Sequence, residues 1–287
     1  MNTASPRFRT PEADYWNSPA TRPWSESHEP IDRLMAELTQ TALGYADVRA
    51  GESVLDIGCG SGTTVLELAR RVGPSGHVLG ADVSVASVDK AHSRIAAAGL
   101  TQAEVLLCDA AVNPFKPESF DLAFSRFGVM FFADPTAAFA NIRTGMKHGG
   151  RLNLAVFRTA QENPWSTGPL QAVRGLVPPL PPVGPEDPGQ FSWANPARVQ
   201  RILEGAGFTQ VKLTPLDPAL RLAPTGGAAR ATDFVLKIGP IVRAMTQQPN
   251  SDVAAVRAAL EAYFKTHDSP HGIVLPAALW IVQARAP

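Results

Sequence analysis

Seven consecutive residues carry the strongest chemical signal in the chain: Asp56-Ile57-Gly58-Cys59-Gly60-Ser61-Gly62. They close the apolar run 53–57 and precede a helical pattern with Val65, Leu66, Leu68 and Ala69 on one side. A glycine turn between a strand and a helix lets the backbone approach a ligand closely. The helix start behind it offers free N–H groups that favour a carboxylate. Two more acids close the next strand-like runs, Asp82 after 78–81 and Asp109 after 104–108. In an open α/β sheet such strand ends share the carboxyl edge, where ligands bind. There Asp82 can accept two charge-assisted hydrogen bonds from ribose hydroxyls, and Asp109 can meet the exocyclic amine of an adenine.

The elements that must position these acids alternate along the chain. Strand-like runs at 53–57, 78–82, 104–108, 120–125 and 152–157 alternate with helical patterns after Gly62, at 85–98 and at 135–147. That order predicts a parallel sheet with helices on both faces and right-handed crossovers. After 157 the alternation stops, and 158–195 is rich in Pro, Gly and Trp. Asn195-Pro196 restarts a helix, since Asn is a good N-cap and Pro suits the first helical position. A sixth strand is expected at 211–213, helices near 229–246 and 251–266, and a last strand at 277–284, antiparallel to the sixth. Residues 1–27 are polar and predict a loose start, with a helix following Pro30.

Composition removes several function classes. The 287 residues hold 26 basic and 26 acidic side chains, a formal net charge of zero. A general polyanion binder needs many Lys and Arg contacts to phosphate, so no nucleic acid is expected as partner. The two cysteines, Cys59 and Cys108, make neither a disulfide framework nor a zinc site by themselves, and no metal is expected. No run approaches the ~20 apolar residues that span a bilayer. The first residues lack the apolar stretch of a secretory leader, which predicts a cytoplasmic location.

The constellation resembles the class I S-adenosylmethionine-dependent methyltransferases over nearly the whole chain. VLDIGCGSG at 54–62, GADVS at 80–84 and CDA at 108–110 match their first three motifs. FDLAFSRFGVMFFADP at 120–135 and KHGGRLNLAVF at 147–157 match the region of the fourth and fifth strands. The chain is most similar to the bacterial ubiquinone/menaquinone-methylase-like (UbiE-type) small-molecule group, as are YWNSPATRPW at 15–24 and ENPW at 162–165. The resemblance implies a Rossmann-like α/β fold with a seven-stranded, mostly parallel sheet and an antiparallel last strand. It implies S-adenosyl-L-methionine over the carboxyl ends of strands one to four.

Roles follow from the resemblance where the motifs match. Gly58, Gly60 and Gly62 would face the methionine part, and Asp56 would hold the loop and the amino group. Asp82 would bind the ribose with Val83 against the adenine, and Asp109 and Ala110 would meet the adenine edge. Ser125 and Arg126 would lie beside cofactor and methyl acceptor. Phe127, Met130 and Phe131, with Phe132, either line the acceptor pocket or pack a turn. A single methyltransferase domain is expected, with 1–30, 158–195 and 218–270 covering the substrate. Of the 26 prolines, against a usual ~5% of residues, six fall at 178–188 and predict a stiff loop beside that pocket. The acceptor is expected to be a small, partly apolar molecule methylated on O, N or C, by a monomer or homodimer.

A general base is needed only if the acceptor holds its proton at neutral pH. His28 and Tyr15, near the amino-terminal aromatics, are the candidates. Two rival readings remain. A dinucleotide-dependent oxidoreductase shows G-x-G-x-x-G, whereas the glycines here are two and two apart. A non-catalytic S-adenosylmethionine-binding module is the other. A base-amino methyltransferase would carry D/N-P-P-F/Y after the fourth strand, where this chain has Ser125-Arg126-Phe127-Gly128.

Overall fold

The computed structural model describes residues 10–19, 21–246 and 251–287. The short run Ser53–Ile57 (β1) is buried at four of its five positions, as befits a strand covered on both faces of a parallel sheet. With His77–Asp82 (β2), Ala103–Leu107 (β3), Phe120–Arg126 (β4), Met146–Phe157 (β5) and Thr209–Leu216 (β6), it builds the main sheet. A further pair, Ala219–Ala223 (β7) and Ile273–Pro276 (β8), forms a separate antiparallel sheet. The last strand, Leu279–Arg285 (β9), completes the main sheet in the order β3-β2-β1-β4-β5-β9-β6. β1 to β5 pair in parallel, and β9 runs antiparallel to both β5 and β6. The expected seven-stranded sheet with one reversed strand is therefore present.

The amino-terminal part departs from the expected loose start. Four helices occupy it: Pro11–Trp16 (α1), Arg22–Glu26 (α2), His28–Leu34 (α3) and Ala36–Ala46 (α4). The polar composition there misled, because local caps carry the first helix. The Thr10 hydroxyl accepts the Ala13 amide, and Pro11 sits at the first helical position, where its missing N–H costs nothing. Residues 1–9, 20 and 247–250 of the expected cover segments lie outside the described residues.

The helices between strands follow the punctuation in the sequence. Thr63–Val72 (α5) ends at Gly73, and Val85–Ala98 (α6) is capped by the Ser84 hydroxyl and ends at left-handed Gly99. Pro135–Gly145 (α7) is capped by Asp134 and stops two residues earlier than expected, because β5 already begins at Met146. Pro164–Ala172 (α8) lies inside the segment read as irregular. Pro196–Gly205 (α9) is capped by Asn195, which accepts the amides of Ala197 and Arg198. The helix expected near 229–246 is two, Gly227–Val235 (α10) and Pro240–Thr246 (α11), and Val253–Lys265 (α12) follows.

Two apolar clusters flank the sheet. One joins α4, α5 and α6 to it through residues such as Leu43, Leu68 and Ala91. The other carries Phe139 of α7 and Leu203 of α9, and runs without a break into Leu222, Val235, Ile241 and Leu260. The segment inserted between β6 and β9 therefore shares the core of the sheet, where α10 packs on α12 and α8 touches both α11 and α12. Among the described residues no helix is long and apolar enough to cross a membrane.

Candidate active site

The turn after β1 is shaped by glycines with φ of +66° at Gly58, +54° at Gly60 and +83° at Gly62, a region other residues enter at a cost. Their surroundings separate their uses. A methyl on Gly60 would meet nothing within 4 Å, so this backbone lies open to the cavity. A methyl on Gly58 would fall 2.6 Å from Gly128 Cα, and one on Gly128 would fall 2.6 Å from Ile57 O. The loops after β1 and β4 thus touch backbone to backbone. Gly62 does not face the cavity. Its missing side chain makes room for Ala91 of α6, whose Cβ would lie 2.9 Å away.

A cavity of about 300 Å³ opens over these strand ends. Gly58, Gly60, Asp82, Val83, Asp109 and Ala110 form its wall on the sheet side, and all were named from the sequence. Asp82 braces the loop, accepting the Gly60 amide on Oδ2 and the Ser84 amide on Oδ1, each at 2.8 Å. Burial raises its pKa, and those amides oppose the rise. Asp109 is 6% exposed and accepts the Ala111 amide at 2.9 Å.

Besides Gly62, three assigned residues are not part of this wall. Asp56 is fully buried and accepts the Thr64 hydroxyl at 2.5 Å, while its Oδ1 has no partner. Burial pushes its pKa up to about 7, against the lowering influence of Thr64 and Arg126. Ser125 is fully buried, donates to Ile57 O at 2.7 Å and accepts the Gly128 amide. It staples the ends of β1 and β4. Tyr15 is 39% exposed with the Arg243 guanidinium over its ring. Its neighbour Trp16 takes the inner position against Phe131, ring centroids 5.0 Å apart.

Arg126, Phe127, Met130 and Phe131 all line the cavity. Arg126 reaches back to the Thr39 hydroxyl of α4, and its buried Nε has no partner. Burial lowers its pKa, while Asp32 and Asp56 hold the charge on. Phe127 has φ of +69° and stacks on Phe157 at 4.2 Å. His28 also lines the cavity, with Nδ1 on the Ser25 carbonyl at 3.3 Å. A carbonyl only accepts, so Nδ1 is the donor, and in the neutral ring that leaves the lone pair on Nε2.

Sequence reasoning missed a clasp at the cavity mouth. Asp32 of α3 accepts the Thr63 hydroxyl and an Arg94 N–H, at 2.5 and 2.8 Å. Arg94 also donates to Ser61 O and Thr63. No local pattern marks these residues, since each lies on a different helix. The opposite wall was missed as well: Trp165, Ser166, Gln190, Phe234 and Ile241 come from the cover segments. The proline-rich stretch 178–188 is absent from the cavity wall. It lies outside, where the Glu186 carbonyl accepts Arg198 of α9 at 2.7 Å.

The residues present fit an adenosyl amino acid. Gly60 leaves space, the adjacent carboxylates offer acceptors, and two buried polar atoms, Asp56 Oδ1 and Arg126 Nε, lack partners near the strand ends. Four acids line the wall, Glu12, Asp32, Asp82 and Asp109, against the Arg126 guanidinium in the wall and Arg94 paired to Asp32, an excess that favours a cationic ligand. A pyrophosphate fits poorly, because the Gly60 amide is already taken by Asp82.

Comparison with known proteins agrees. The profile described as a methyltransferase domain matches residues 49–176. Nocamycin O-methyltransferase of Saccharothrix syringae is 30% identical over 212 residues, 71% of this chain and 72% of that protein. Aklanonic acid methyltransferase of Streptomyces sp. (strain C5) is 31% identical over 136 residues, 46% of this chain; the chain spans 62% of its length. Haemonchus contortus phosphoethanolamine N-methyltransferase 2, solved with S-adenosylhomocysteine, shares the fold at a TM-score of 0.62 and 16% identity, over 97% of this chain and 61% of that one. The sheet order, the glycine turn with its three acids and these likenesses converge: the chain belongs to the class I S-adenosylmethionine-dependent methyltransferases.

Proposed function

We propose that the protein transfers a methyl group from S-adenosylmethionine to an O, N or C atom of a small, partly apolar molecule held beneath its cover segments. The observation that carries this reading is the two-sided cavity, with carboxylates and open glycine backbone on the sheet side and aromatic and aliphatic groups on the cover side. Relatives that act on small molecules, by their names aklanonic acid and nocamycin, support it.

In this reading Gly58 and Gly60 take the amino-acid part of the cofactor, and Asp82 with Val83 takes the ribose and one adenine face. Asp109 and Ala110 meet the adenine edge. Arg126 Nε, a buried donor without a partner on a residue that lines the cavity, answers the carboxylate, while Asp56 holds the loop from behind. The bound cofactor supplies an electrophilic methyl on a sulfonium; the protein orients the acceptor. Holding both groups in line can remove roughly 7–11 kcal/mol from a barrier. For a hydroxyl acceptor, His28 Nε2 takes the proton. The cavity-lining residues of the segments 1–30, 158–195 and 218–270 exclude water from the reacting groups.

Calorimetry with S-adenosylhomocysteine, paired with transfer of labelled methyl to an extract of small metabolites, tests the reading. Micromolar binding and a labelled product are expected. Tight NADH binding without S-adenosylhomocysteine binding would sink it.

A further inference from the structure

Among the cavity-lining residues that 158–195 and 218–270 contribute, Ser166 and Gln190 are the pair whose side chains bond to each other. Ser166 of α8 is 6% exposed and donates to Gln190 Oε1 at 3.2 Å. The Gln190 Nε2 group makes no hydrogen bond among the described residues. An amide in that position has two donors to spend, and both side chains line the cavity. Around the pair the cover wall is apolar, with Trp165, Pro169, Phe234 and Ile241 from three helices. Phe127, stacked face to face on Phe157 with the rings parallel within 4°, adds aromatic surface to the cavity lining. Flat aromatic surfaces favour flat partners by offset stacking.

Charge narrows the choice further. The one guanidinium in the described wall, Arg126, is turned back to Thr39 of α4. No Lys lines the cavity, and four carboxylates do. A phosphorylated acceptor would bring two negative charges to a wall with no cation on the acceptor side, and burying them unpaired is costly.

We propose that Ser166 and Gln190 read the methyl acceptor, and that it is a flat, largely apolar ring compound with one oxygen function accepting from Gln190 Nε2. This rests on the methyl-transfer reading for its setting but is tested separately. An oxygen-bearing acceptor gains one hydrogen bond here, while one without it leaves the amide unpaired. That difference corresponds to roughly threefold to tenfold in affinity.

The test uses the full chain loaded with S-adenosylhomocysteine and titrated with 2-acetylnaphthalene, naphthalene and phosphoethanolamine, followed by Trp fluorescence and calorimetry. The wild type should bind the ketone about fivefold more tightly than the hydrocarbon and phosphoethanolamine not at all. Gln190→Leu should erase the preference while leaving naphthalene and S-adenosylhomocysteine affinities unchanged, a split that general damage to the fold would not produce. Ser166→Ala should reduce the preference partially. An undiminished preference in Gln190→Leu, failure of both ring compounds to bind, or saturable binding of phosphoethanolamine would overturn the proposal. Loss of S-adenosylhomocysteine binding with the ring preference intact would instead strike the methyl-transfer reading alone.

Discussion

The two sides of the cavity are made in opposite ways. The sheet side is assembled from strand ends, where backbone geometry and two acids, Asp82 and Asp109, make the wall. The cover side is assembled from side chains on α1–α3, α8, α10 and α11 and the loop holding Gln190. A wall of backbone can hold only what its hydrogen bonds match, and substituting a side chain leaves those bonds in place. A wall of side chains on separate helices can be remade by single substitutions. The difference suggests a fixed cofactor side and an adjustable acceptor side, and the variants below test whether they separate.

The largest effect is expected at the point of closest backbone approach. Gly58→Ala forces a Cβ to 2.6 Å from Gly128 Cα at positive φ, and such strained positions cost on the order of 1–3 kcal/mol before any clash. S-adenosylhomocysteine affinity should fall at least about a hundredfold by calorimetry, while 2-acetylnaphthalene still binds. Equal loss of both ligands would show that the sides are one unit.

Asp56→Asn sharpens the sheet side through pH. The Asp56 carboxyl titrates near 7 in the folded chain, against an ordinary value of 3.8. The folded state therefore holds a proton that the unfolded chain releases. This contribution to stability is fully present below about 3.8 and is lost as pH rises through 7. Between pH 5 and 8 the loss amounts to about 2–3 kcal/mol in the unliganded protein. Asp56→Asn should remove that slope in urea unfolding, and an unchanged slope would relocate the titration.

Asp82→Asn should weaken S-adenosylhomocysteine binding by roughly tenfold to a hundredfold, about 1.5–3 kcal/mol for a charged acceptor. Ring-compound binding should be untouched. Trp165→Ala should do the reverse, and a cofactor effect equal to its acceptor effect would blur the division. The smallest effect is expected for His28→Gln with a hydroxyl acceptor, where the acidic limb of the pH–rate profile should flatten. An unaltered profile would remove His28 as base.

The same division governs what the sequence made legible. Gly58, Gly60, Asp82 and Asp109 were readable because each lies at the end of a short apolar run, and that local place is what puts it in the cavity wall. Helix boundaries at Gly99, Asn195 and Gly73 were readable for the same reason. Asp56 and Ser125 were picked by the same motifs yet lie one layer deeper, because neighbouring residues of a strand point to opposite faces and spacing alone does not say which is wet. The β7–β8 pair, Gln190 and the Asp32–Arg94 clasp had no local mark. Each is defined by contacts between segments far apart in the chain. Tyr15 illustrates the limit most simply: the aromatic cluster was found, but the helix turned Trp16 inward instead.

Gly58 and Gly128 occupy one another's side-chain space. Neither can take a methyl group while the other's Cα stands in its way, and changing both only adds a second clash. No exchange at one position compensates a change at the other. Contacting residues ordinarily betray themselves through paired variation across related sequences. Here the contact is so close that it forbids variation altogether, so the tightest junction between the two loops would leave no covariation at all and would be visible only in three dimensions.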